Sequence, residues 1–192
     1  PFYMGINERR YAFMEEGWTT AFEYLFNAET FNKALAENWF KNFRVRGWLR
    51  NMSSDADIPI MTPENVLTGN GYGNNKYGRA ALGYLAMKDL LGDAEFKRVL
   101  HGFIDRWHGK HPTPWDMFNS FNNISGKDMN WFWNSWFFTY GYIDLAVAGI
   151  EKRTDGSAVT IKNAGGFPAP VNIVVTFEDN TTETLHQTPA IW

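Results

Sequence analysis

A break in composition near residue 145 constrains this chain more than any other feature. Eight of its nine tryptophans and all seven methionines precede that point. After it, threonine and β-branched residues dominate, punctuated by Asp155-Gly156 and Gly165-Gly166. Val171, Ile173, Val175 and Phe177 alternate with Asn172, Thr176 and Glu178, broken only by an apolar Val174. Side chains alternate across a strand, so this is a strand signal. Asp155-Gly156 reads as the centre of a hairpin turn, and 178–181 as a second turn leading into a strand over 182–187. About four antiparallel strands are expected, too few for a complete sandwich. The first part reads instead as helices over 10–27, 29–43, 76–91, 94–107 and 129–138. Gly92 is the expected C-cap of the third. Thr113-Pro114 supplies an N-cap with proline at the first helical position, followed by Asp116 three residues on. The expected class is α+β, with a helical part over 1–144 and a partial antiparallel β-sandwich over 145–192. A long Gly-, Pro-, Asn- and Ser-rich segment, 44–75, reads as a loop, and loops of that length are usually functional or mobile.

Charge and composition narrow the function. Lys and Arg number 18 against 21 acids, a net charge of −3, which excludes the basic footprint of a nucleic-acid binder. No run approaches the roughly 20 apolar residues of a membrane span. With no cysteine, disulfide frameworks, thiol nucleophiles and cysteine metal sites are excluded. Aromatics are heavy for the size: 16 Phe, 9 Trp and 8 Tyr. The chain opens Pro1-Phe2-Tyr3 with no signal peptide in view and ends directly after a strand-like run. Both ends read as cut from something longer.

Two segments carry candidate chemistry. In Met14-Glu15-Glu16-Gly17-Trp18-Thr19-Thr20-Ala21-Phe22-Glu23-Tyr24, helical spacing puts Glu16, Thr20 and Glu23 on one face. Phe13, Ala21, Leu25 and the adjoining Phe22 lie opposite. A buried carboxylate needs a cation, a metal or a proton; by pattern alone, a solvated helix face is the plainer reading. In Gly71-Tyr72-Gly73-Asn74-Asn75-Lys76-Tyr77-Gly78-Arg79, Tyr77 falls at a helix start, where backbone dipoles favour developing negative charge. No Gly-Lys-Ser/Thr follows, so these glycines are not a phosphate loop.

The wording of these segments resembles the aminopeptidase-N-like gluzincin zinc metallopeptidases. Residues 14–24 are similar to the helix that gives that family its third zinc ligand, an Asn-Glu-Gly-Phe-Ala-like motif following the His-Glu-x-x-His helix. The resemblance implies that Glu16 is the zinc-binding carboxylate, with Glu15 in place of the usual asparagine. It also implies that Glu23 is an acid orienting a ligating histidine. Tyr77 to Gly92 looks like the family's Tyr-Glu-Lys-Gly stretch, with Gly78 and Arg79 replacing the Glu-Lys pair. The tyrosine there stabilises the oxyanion of the tetrahedral intermediate. His111-Pro112-Thr113-Pro114-Trp115-Asp116 and Ser125-Gly126-Lys127-Asp128 onward resemble the family's later helix-packing signatures. Counted by the family spacing, the His-Glu-x-x-His helix ends about three residues before Pro1, so the two histidine ligands and the general-base glutamate lie outside this chain.

What the resemblance implies is the C-terminal part of a zinc-dependent aminopeptidase that cleaves peptide substrates with zinc-activated water. It would be completed by the remaining N-terminal part of the same polypeptide and be inactive alone. The rival is a catalytically inactive helical and β-sandwich scaffold for a partner. His101, His108 and His111 could be imagined as a metal site, yet lack a partner carboxylate at ligand spacing. The tryptophans over 131–136 could suggest a sugar platform, but their helical spacing favours core packing.

Overall fold

The computed structural model describes residues 3–51, 54–55, 57–67 and 69–192. The opening Pro1-Phe2 and positions 52, 53, 56 and 68 of the Gly- and Pro-rich segment lie outside the described residues. The class is α+β as expected: helices up to Phe138, then strands from Leu145.

Helix α1 (Glu8–Tyr11) passes through a π-helical turn, Phe13–Gly17, into α2 (Trp18–Thr30). The break after α2 comes later than the sequence suggests. Asn32 adopts an extended backbone, and its side chain accepts from the Leu35 amide, so the cap sets the start of α3 (Lys33–Phe40). The chain then stays helical through a π turn, Lys41–Val45, and α4 (Arg46–Asn51), eight residues into the segment read as loop. Trp48, buried to 2% exposure, is the apolar anchor that holds this extension. Next come a 3₁₀ turn at Glu64–Val66, then α5 (Asn70–Gly73), a π turn at Asn74–Arg79 and α6 (Ala80–Leu91). Helices α7 (Asp93–Trp107), α8 (Pro114–Ser125) and α9 (Asn130–Trp133), with a last π turn at Asn134–Phe138, complete this part. Thr113 and Asp116 form the reciprocal capping box at the start of α8, and Gly92 ends α6 at φ 77°.

The aromatic excess is spent on one core. Trp18 stacks on Tyr84 with ring centroids 3.9 Å apart and sits beside Phe96 and Phe121. Phe118, Phe132, Trp133, Trp136 and Phe137 are buried, so the tryptophans of 131–136 are mainly packing; Trp131 alone of the three is largely exposed. Fully burying a Phe stabilises by about 1.5–3 kcal/mol, against about 0–1 for a surface ion pair. Phe13, Phe121, Phe132 and Phe137 therefore outweigh the exposed Lys33–Glu37 and Arg153–Glu151 pairs.

Strands β1 (Leu145–Arg153) and β2 (Gly156–Asn163) form one antiparallel hairpin, with a register shift between Val147 and Gly149. Strands β3 (Val171–Thr176) and β4 (Thr182–Gln187) form another, and the two are separate sheets. The first turn corrects the sequence reading: Arg153 pairs with Gly156, which leaves Thr154-Asp155 at the centre. Gly156 is the first residue of β2, at φ 150°. The second turn is as read, closed by Phe177 N–H on Thr181 O, with Asn180 at φ 65°.

One buried cation joins the parts. Arg79, 1% exposed, pairs with Asp57 at 3.0 Å and donates to Ile58 O (2.6 Å) and Thr139 O (3.0 Å). Its guanidinium also lies 4.7 Å from the Phe167 ring, which packs on Trp136. Burial pulls its pKa down to about 10, against the opposing pull of Asp57, so it remains charged at neutral pH. Earlier in the same turn, Asn75 donates to Pro59 O and Lys76 to Ile60 O and Thr62 O. Removing one member of a buried pair strands the other charge. Asp57→Ala should therefore cost about 3–5 kcal/mol of stability in urea denaturation; a loss under about 1 kcal/mol would contradict this role for Arg79.

Candidate active site

Glu16 and Tyr77, 61 residues apart in sequence, meet. The Tyr77 hydroxyl donates to Glu16 Oε1 at 2.6 Å. Each lies in a π turn, Glu16 in Phe13–Gly17 and Tyr77 in Asn74–Arg79. Single-turn π insertions often mark functional sites because the extra residue re-aims side chains away from the 3.6-residue register. Thr20 is buried, Glu16 half-buried and Glu23 exposed, so the three residues that an ideal helix would align differ in environment.

Two glycines permit the approach. A Cβ on Gly17 would sit 2.6 Å from Ala80 Cβ and 2.9 Å from the Tyr84 ring, so the turn bearing Glu16 rests directly on α6. A Cβ on Gly78 would sit 2.5 Å from the Arg44 carbonyl oxygen. Here only glycine fits, which gives a physical reason for Gly78 beside Tyr77. Tyr84, stacked on Trp18, donates to Phe13 O at 3.2 Å and fixes the first turn from below.

The electrostatics suit a hydroxyl that stays protonated. Burial, then the hydrogen bond to Glu16 and that carboxylate's charge, push the Tyr77 pKa well above its ordinary value. Burial, Glu8 and the neighbouring Glu16 raise Glu15 to about 7. Glu64 is likewise raised, by burial first. Tyr72 stands edge-on to Tyr77 with centroids 5.9 Å apart. On another side, the Arg44 guanidinium lies 4.7 Å from the Tyr77 ring centroid and 4.6 Å from that of Phe43. Arg44, Glu64 and Tyr72 were not singled out from sequence: isolated charges and aromatics beside a glycine-rich segment give no signal of their own.

Glu23 is exposed and takes no part in the Glu16–Tyr77 hydrogen bond. His108 stacks on Tyr3, and His111 Nδ1 lies 2.7 Å from Gly5 O, both structural uses. Among the described residues no group of three His, Cys, Asp or Glu could hold a metal ion. Glu16 is a fitting single donor: a half-buried carboxylate that forms no ion pair among the described residues and has one oxygen engaged by a hydroxyl.

The profile of the peptidase family M1 domain matches residues 7–136, which include both Glu16 and Tyr77. The chain belongs to the M1 peptidase family. Among solved structures, it is similar in fold to Legionella pneumophila aminopeptidase A in complex with aspartic acid. The TM-score is 0.67 at 23% identity, over 95% of this chain and 21% of that one. The M1 chain thus spans about a fifth of that relative's length. No curated protein matches it significantly. Peptidases of family M1 are in general zinc-dependent.

Lys76 gives a test of how tightly the Tyr77 turn is packed. Burial pushes its pKa down to about 8, with Glu64 pulling the other way. Between pH 8 and about 10.5 the native state then binds fewer protons than the unfolded chain, so stability from this group rises with pH across that window. The burial cost is fully present below pH 8. Lys76→Met should remove that slope in urea denaturations from pH 7.5 to 10.5; parallel wild-type and variant profiles would contradict it.

Proposed function

We propose that this chain carries part of the active centre of a zinc-dependent M1 aminopeptidase, with Glu16 as a metal ligand and Tyr77 as the oxyanion-stabilising residue. The observation that carries the reading is the Tyr77 hydroxyl held 2.6 Å from the Glu16 carboxylate. Residues 1–144 are read as the C-terminal part of the peptidase domain and 145–192 as a partial β-sandwich domain. The remaining N-terminal part of the polypeptide would supply two histidine ligands, and the substrate would be a peptide.

Glu16 would provide the carboxylate of a His₂Glu set that leaves a position for water. Zinc, when bound, polarises the scissile carbonyl and acidifies water. Tyr77 does the rest that this chain can do. Its hydroxyl is protonated at neutral pH and is held by its turn beside Glu16, so it would turn its one proton from Glu16 Oε1 to an oxyanion forming there once the metal takes up that carboxylate. Glu23 would orient a ligating histidine from the neighbouring helix. With one carboxylate and no general base, the 192-residue chain alone should not turn over peptides.

In the full-length, zinc-loaded protein, Tyr77→Phe should lower kcat about 10²–10³-fold with KM and zinc content little changed. Glu16→Gln should lower zinc occupancy itself. Retained activity in Tyr77→Phe sinks the assignment of Tyr77, and full zinc occupancy in Glu16→Gln sinks that of Glu16. Aminoacyl-anilide hydrolysis by the 192-residue chain with added zinc would overturn the expectation that it is inactive alone.

A further inference from the structure

We propose that Arg44 is a carboxylate-binding residue for the peptide substrate, an inference that rests on the active-centre reading above. Three observations converge on it. First, its position: the π turn Lys41–Val45 packs directly against Gly78, and the guanidinium lies against the ring of Tyr77, whose hydroxyl reaches Glu16.

Second, its charge is unanswered. Arg44 forms no ion pair among the described residues, and its buried Nε has no hydrogen-bond partner. A buried guanidinium donor left unsatisfied is costly, and structures normally pair it. Nor is there an acid nearby in sequence: from residue 38 to residue 54 the chain holds Lys41, Arg44, Arg46 and Arg50 but no Asp or Glu. The other side of Tyr77 is acidic, with Glu16 at its hydroxyl and Glu64 and Glu8 acting on its neighbour Tyr72. Glu64 on that side is already answered by Lys76 and Arg9, whereas Arg44 is not answered among the described residues.

Third, the guanidinium is pre-positioned. It lies against Phe43 (4.6 Å) and Tyr77 (4.7 Å), with Trp39 at 6.0 Å. Contacts with ring faces hold the group without using its N–H donors, and with Nε buried it is the two terminal nitrogens that a planar, bidentate acceptor would meet. A carboxylate meets that fork with two charged in-plane oxygens, whereas a neutral amide offers one uncharged oxygen and binds it more weakly. In a peptide substrate the carboxylate comes either from a free C-terminus or from an acidic side chain.

The test uses the full-length protein and three dipeptides: Leu-Leu, Leu-Leu-amide and Glu-Leu-amide. Calorimetric binding and kcat/KM are measured for wild type, Arg44→Met and Arg44→Lys. A charge-assisted bidentate contact predicts that wild type prefers one carboxylate-bearing peptide over Leu-Leu-amide by about 10- to 100-fold, mostly in affinity and KM. Leu-Leu as the preferred peptide identifies the C-terminus, and Glu-Leu-amide the side chain. Arg44→Met should abolish the preference, and Arg44→Lys should keep part of it. Equal binding of all three by wild type overturns the proposal, as does an Arg44→Met variant that weakens charged and neutral peptides alike, because that is what loss of packing on Tyr77 alone would do. The binding preference does not require turnover: a wild type that binds with the preference but cleaves nothing refutes the peptidase reading and leaves the Arg44 site standing.

Discussion

Arg79 is the interaction on which the arrangement depends. A guanidinium with almost no exposure needs partners for its charge, and here both terminal nitrogens and the ring-facing side find them on three separate stretches: Asp57 and Ile58 of the inter-helix loop, Thr139 at the end of the last helix, and the face of Phe167 in the strand-bearing part. The high cost of leaving a buried charge unpaired locks these stretches to the one turn that contains Arg79. Lys76 and Asn75 extend the lock to Pro59, Ile60 and Thr62. Tyr77 sits in the middle of that turn. Its neighbours point inward and are immobilised, so its own ring is delivered outward to Glu16.

The second constraint is steric. Gly17 and Gly78 let two π turns lie closer to their neighbours than any Cβ would permit, one against α6 and the other against the Arg44 carbonyl. The aromatic core supplies the matching pressure from below, where Trp18, Tyr84 and Phe13 meet through stacking and a hydrogen bond to the Phe13 carbonyl. Close backbone approach, an aromatic floor and a polar clamp together explain how residues 61 positions apart share one short hydrogen bond.

Much of this was legible in the sequence. The composition break located the change from helix to strand, the Thr113–Asp116 box and Gly92 marked helix ends, and motif wording singled out Glu16 and Tyr77. What escaped reading was whatever departs from ideal periodicity or depends on distant partners. The π turns carry no periodic signature, so Glu16, Thr20 and Glu23 were expected on one face and instead differ in exposure. Arg79 looked like a departure from a family pattern, yet it is the buried clamp, because its partners Asp57 and Thr139 are 22 and 60 residues away. The glycine-rich stretch after Arg44 hid α4 and α5, whose helicity comes from burying Trp48 and from packing at Gly71 and Asn75 rather than from propensity.

The central claim is that Glu16 and Tyr77 are two walls of one zinc centre. Anomalous diffraction at the zinc edge, from crystals of the full-length protein, addresses it without relying on activity. The expected result is a single strong peak at about 2.0–2.2 Å from a Glu16 carboxylate oxygen, the usual zinc–carboxylate distance, with the Tyr77 hydroxyl facing the same ion. A zinc-saturated crystal with its peak away from Glu16, or with Tyr77 turned from the metal, would contradict it.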